Sequence, residues 1–132
     1  MITCLPRSLR TAPLALVLLL VGCSLFGGSS RSVLLPVSDV QAPASAQVGV
    51  PFTVTLRIDL YNGCVSFSEL EAVEAPARLT LTARGREESS GACDQSVRTI
   101  EQEYRYTPSS VGEVTVDVVG RGETASLTVA VE

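Results

Sequence analysis

The sequence predicts an all-β domain, a single antiparallel β-sandwich of about seven short strands. Three observations lead there. The segment PFTVTLRIDL alternates without a break: Phe52, Val54, Leu56, Ile58 and Leu60 fall on one face and Thr53, Thr55, Arg57 and Asp59 on the other. Further alternating segments follow, separated by Gly, Pro and Asn turn signals at short intervals. The apolar residues are mainly Val, Leu, Ala and Ile, with 5% aromatics and no Trp, so the core must be aliphatic.

Along the chain, the first candidate element is not part of the sandwich. Arg7 and Arg10 form a basic start, and 14–21 is an unbroken apolar run. A spanning helix needs about 20 apolar residues. This run is far shorter, and with its basic flank it reads as a helical secretory signal peptide, 1–22.

The run ends in Leu20-Val21-Gly22-Cys23. This LVGC resembles the lipobox of bacterial lipoproteins, in which an apolar residue, a tolerant position and a small residue precede a cysteine. The resemblance covers the leader alone. It implies cleavage after Gly22, a diacylglyceryl group on the Cys23 thiol, and an acylated mature N-terminus. It implies a location in the cell envelope, held at the outer membrane or at the outer face of the cytoplasmic membrane. Two or more acyl chains hold a protein durably where one does not.

With Cys4 in the leader and Cys23 lipidated, Cys64 and Cys93 remain as an even pair in an exported, oxidising compartment. They are expected to form a disulfide; two free thiols are the alternative. The mature chain would lose Arg7 and Arg10 and keep eight Arg against 14 acids, a side-chain charge of −6. That charge argues against nucleic acid as a partner.

Residues 23–35 read as the lipidated cysteine and a flexible tether, with Gly27, Gly28, Ser29 and Ser30 at its centre. Residues 36–132 are the expected sandwich. After the strand beginning at Phe52, Asn62-Gly63 predicts a hairpin turn, with Cys64 just beyond it. FSELEAVEAP is ambiguous. Ser68 and Glu71 fit a helix capping box, yet the run is short and stops at Pro76, so a strand or irregular crossing is preferred.

In ARLTLTAR, Ala77, Leu79, Leu81 and Ala83 share a face. GREESSGACDQ reads as a polar loop. Arg98, Ile100, Gln102, Tyr104 and Tyr106 share a parity in the next strand. Val114, Val116 and Val118 alternate in the following one, Gly120-Arg121-Gly122 turns the chain, and Leu127, Val129 and Val131 close the domain.

VQAPASAQVGVPFTVTLRI and TPSSVGEVTVDV resemble the opening and penultimate strands of bacterial immunoglobulin-like and fibronectin-type-III-like domains. The resemblance spans most of 37–132. It departs in lacking Trp, and neither Cys64 nor Cys93 sits mid-strand, so the buried cross-sheet disulfide of antibody domains does not carry over. It implies a sandwich and no particular activity.

The chemistry is limited by what is missing. All ten basic residues are Arg, and His is absent. The commonest general base, the commonest zinc ligand and any Schiff-base lysine are thereby removed. The acidic groups Glu69, Glu71, Glu74 and Glu87, Glu88 read as solvated faces rather than paired catalytic carboxylates. Asp59, Asn62 and Asp94 would suit calcium only if the disulfide gathered them. No cofactor is expected.

The reading is a non-catalytic binding or assembly module, with a structural spacer as the alternative and an enzyme less favoured. Its partners would be the membrane, through the anchor, and an envelope protein. The candidate binding surface is Arg86, Glu87 and Glu88 in the 85–95 loop, with Tyr104 and Tyr106, although such tyrosines more often complete a core.

Overall fold

A computed structural model describes residues 28–89 and 91–132. The signal segment and residues 23–27, Cys23 among them, lie outside the described residues. These residues form nine strands and no helix: β1 (Ser30–Leu34), β2 (Val37–Gln41), β3 (Ser45–Ala46), β4 (Phe52–Leu60), β5 (Val65–Ala75), β6 (Arg78–Glu88), β7 (Arg98–Tyr106), β8 (Gly112–Val119) and β9 (Thr124–Val131). One sheet has the order β1-β6-β8-β9-β3, with β5 on the other edge of β6; the second is β2-β4-β7.

The alternating strands behave as their period requires. All five apolar residues of β4 are buried, as are Leu79, Leu81 and Ala83 of β6, Val114, Val116 and Val118 of β8, and Val129 and Val131 of β9. They meet between the sheets in one aliphatic core. The strand β4 occupies the middle of the smaller sheet, paired with β7 over nine residues from Phe52↔Tyr106 to Leu60↔Arg98. The final hairpin, β8–β9, turns through Gly122, whose φ is 88°.

Six expectations are corrected. The tether is shorter than 23–35, because Ser30–Leu34 is a strand. Residues 78–82 of β6 pair with β8, and 84–88 on the same edge pair with β1. The 11-residue β6 outruns β8, and β1 fills the remainder. This strand and the two-residue β3 raise the count from about seven to nine.

The sheets are also not wholly antiparallel. Both β6–β8 and β3–β9 are parallel. Between β6 and β8 the chain crosses to the other sheet as β7 and returns, so β8 runs in the same direction as β6.

Asn62-Gly63 does not close a hairpin. Both edges of β4 are taken by β2 and β7, so the chain passes to the opposite sheet instead. Asn62 Oδ1 accepts the Cys64 N–H at 2.9 Å, an Asx turn, and Gly63 N–H donates to the Asp94 carbonyl at 2.6 Å. Gly63 does not take the left-handed φ that a type I′ turn needs.

Ala77 does not face the core with Leu79. It is exposed in the two-residue β5–β6 turn, at φ 59°. Residues 85–88, expected in a loop, extend β6. The ambiguous 66–76 segment is mostly strand, as preferred. It has a bulge between Phe67 and Glu69, which turns Leu70 and Ala72 towards the core.

Position 85 in β6 has no room for a side chain. A Cβ there would lie 2.5 Å from Leu35 Cδ2 and 2.8 Å from the Ser66 carbonyl oxygen. Gly85→Ala should therefore destabilise the domain by about 1–3 kcal/mol. Urea unfolding checks this; an unchanged midpoint would mean that Leu35 is free to move aside.

Candidate functional site

The sandwich has two chemically different ends. At the first, the chain emerges through β1 and the Cys64–Cys93 disulfide closes, with a Cα–Cα distance of 5.3 Å. The bridge ties the β4–β5 crossing to the 89–97 segment between β6 and β7. Backbone bonds reinforce it: Glu88 N–H to the Cys64 carbonyl at 3.0 Å, and Ser89 N–H to the Ser29 carbonyl at 3.1 Å.

Four side chains from distant positions meet at this end. Arg31 Nε donates to Glu87 Oε2 at 2.7 Å, and Nη2 lies 2.5 Å from the same oxygen. The Glu87 side chain is 17% exposed against 77% for Arg31. The Arg121 guanidinium sits 4.4 Å from the centre of the Tyr61 ring. The hydrogen bond from Arg31 lowers the Glu87 pKa; partial burial opposes this, and the Arg31 charge, the Tyr61 hydroxyl and the Arg121 charge add to it. On the outer face beside them, Gly28, Ser30, Arg86 and Glu88 line a shallow polar concavity of about 270 Å³.

At the second end three loop valines are exposed. Val48, Val50 and Val111 are 40%, 50% and 72% accessible. Their loops are joined by Gly49 N–H donating to the Pro108 carbonyl at 2.9 Å, and by Val48 N–H donating to the Glu132 carbonyl at 3.0 Å. Beneath them, Phe52 and Tyr106 pack edge to face at 5.6 Å. The Tyr104 hydroxyl donates to Glu74 Oε1 at 2.6 Å, joining the two sheets. That bond, with partial burial, raises the Tyr104 pKa.

The structure separates the residues expected to form one binding surface. Arg86, Glu87 and Glu88 lie on β6 at the disulfide end, with Glu87 turned inward onto Arg31. Tyr104 and Tyr106 pair with Val54 and Phe52 towards the valine end, and Tyr106 is core. Cys64 and Cys93 are joined as expected; Gly22 and Cys23 lie outside the described residues.

The calcium trio is not gathered. Asp59 accepts from Thr99 Oγ1 at 2.6 Å, Asn62 binds its own turn, and Asp94 accepts from Ser96. Those Ser96 bonds lower the Asp94 pKa. Among the described residues no three potential metal ligands cluster, and no polar or charged side chain is buried. Arg31, Arg121 and the three valines were not anticipated. Their juxtaposition comes from the crossing of β1 and from loops far apart in sequence, which leave no local pattern.

The chain matches no protein-family model, and no curated protein or solved structure is similar enough to match it.

Two outcomes are expected at the disulfide end. The bridge closes a loop of 29 residues. Its loss in Cys64→Ser/Cys93→Ser should cost about 3 to 4 kcal/mol in the chain-entropy account, measured by denaturant unfolding without reductant. Because the Glu87 pKa is lowered in the folded state, its contribution is present above the ordinary carboxylate range and disappears as pH falls through the lowered value. Glu87→Gln should therefore reduce the loss of stability on acidification, read as melting temperature against pH. An unaltered acid limb would show that the Arg31 pair has no net effect.

Proposed function

We propose that this chain is a lipoprotein of the cell envelope, anchored by acyl groups on Cys23, whose sandwich acts as a non-catalytic binding or assembly module. The leader supports the anchor: a basic start, a short apolar run and LVGC in that order. The single observation that carries the module reading is the polarity of the domain. The described residues begin at the disulfide end, where Val97 is exposed, while the exposed loop valines Val48, Val50 and Val111 stand together at the opposite end.

Seven residue steps separate Cys23 from Ser30, a reach of at most about 25 Å. An anchored domain would therefore keep its disulfide end towards the membrane and present Val48, Val50 and Val111 away from it. Exposed apolar residues on loops tied by backbone hydrogen bonds suit a protein partner. The acidic balance does not suit nucleic acid.

The likeness to immunoglobulin-like domains belongs to the same reading. The long alternating β4 and the β8–β9 hairpin support it; the parallel β6–β8 pair departs from it.

The test is the intact mass of protein extracted from native membranes, before and after reduction. The expected species starts at Cys23, is heavier by acyl groups, and gains about 2 Da when the disulfide takes up two hydrogens. Cys23→Ala should leave the membrane fraction. A species that retains Met1, or that carries no lipid, overturns the anchor. If Val48→Ser/Val111→Ser leaves every crosslinked envelope partner unchanged, the spacer reading replaces the binding module.

A further inference from the structure

Most open sheet edges among the described residues are guarded. The edge strand β1 carries Arg31, and the five-residue β2 carries Asp39. The strand β5 is interrupted by its bulge and carries Glu69, Glu71 and Glu74, and β7 carries Arg98, Glu101, Glu103 and Arg105. Charges and bulges of this kind discourage strand addition.

The edge of β9 differs. Its sequence, TASLTVAV, has no charge, proline or glycine. The short β3 covers only Ala130 and Val131, leaving 124–128 without a neighbour on that side. Ala130 and Glu132 donate their N–H groups to the Ala44 and Ala46 carbonyls on this edge, at 3.0 Å each. Strand N–H groups alternate in direction, so those of Thr124, Ser126 and Thr128 point to the open side. Leu127 and Ala125, on the inward-facing parity, are half-buried and exposed respectively.

We infer that this edge is a strand-addition site and that its occupant is β9 of a second copy of the chain. In the antiparallel register of greatest overlap, centred on Ser126, Thr124 faces Thr128, Ala125 faces Leu127, and Ser126 faces its own equivalent. Hydroxyls meet hydroxyls, the apolar pair is covered, and no like charges are opposed. Any open register of 124–128 on itself is equally free of charge conflict, which a self-pairing of β7 is not. There, centring on Gln102 sets Glu101 against Glu103.

The overlap is short, so the contact is weak and concentration-dependent. The paired strands run antiparallel, which places the two Ser30 ends at opposite ends of the dimer. Under the anchored reading this links copies on facing surfaces, but the pairing itself does not depend on the anchor.

The experiment is sedimentation equilibrium of the full chain in density-matched detergent, from micromolar to submillimolar concentration. The expected result is a protein mass rising from one chain towards two. Thr128→Pro removes an outward N–H while leaving the β8–β9 ladder its bonds, and should hold the mass at one chain. Ser126→Lys sets a lysine beside Asp117 in the monomer but opposes two lysines in the dimer, and should do the same should the proline variant fail to fold. One chain per particle at every concentration overturns the proposal and leaves the edge open or to another protein's strand. A dimer that survives in a folded variant overturns it as well.

Discussion

Leu35 sits where the chain leaves one sheet for the other, and the arrangement of this domain depends on how it is seated. Its side chain is fully buried, its N–H donates to the Ala83 carbonyl at 2.9 Å, and its carbonyl accepts from Arg121 N–H at 3.0 Å. Three elements are thereby held at once: the β1–β2 crossing, the centre of β6 and the turn after β8. The seat exists because Gly85 and Gly120 have no Cβ; one at Gly120 would lie 3.0 Å from the Leu35 carbonyl oxygen. A buried apolar side chain with both backbone groups bonded locks register as well as adding burial.

From that seat follows the division of β6. Its first half pairs with β8 and its second half with β1, on one edge, while β5 runs along the other. The start of the described chain is thus carried to the disulfide end, where Arg31 can reach Glu87. The Arg121 backbone bonded to Leu35 belongs to the residue whose guanidinium covers Tyr61. The polar end is therefore assembled by the crossing and the turn together, with the disulfide holding the remaining loop against them. At the opposite end backbone bonds join the loops, the Tyr104–Glu74 bond links the sheets beneath them, and Val48, Val50 and Val111 stay exposed.

Much of the fold was legible because burial imposes period two on strands. The sequence PFTVTLRIDL shows its inner face directly, as do LTL and VTVDV, and the structure buries those residues. Where several elements compete for one edge, local pattern fails. Asn62-Gly63 is a good hairpin dipeptide, yet a hairpin needs a free edge on β4, and β2 and β7 occupy both. The glycines, serines and Arg of the supposed tether give no strand signal, yet part of it pairs because β6 leaves an edge uncovered. Tyr104 and Tyr106 share a parity as read, but the depth of cover differs along β7: Tyr106 is core, and Tyr104 reaches Glu74.

By itself the sequence determined the all-β class, the aliphatic core faces, the final hairpin and the pairing of Cys64 with Cys93. Each follows from periodicity, turn chemistry or counting, which are local. Only the tertiary structure decided the parallel pairs, the split edge of β6, the separation of Arg86–Glu88 from the tyrosines, and the open edge of β9. These depend on which strands reach which edges first. That is a competition among hydrogen-bonding surfaces distant in sequence, and no window of neighbouring residues records its outcome.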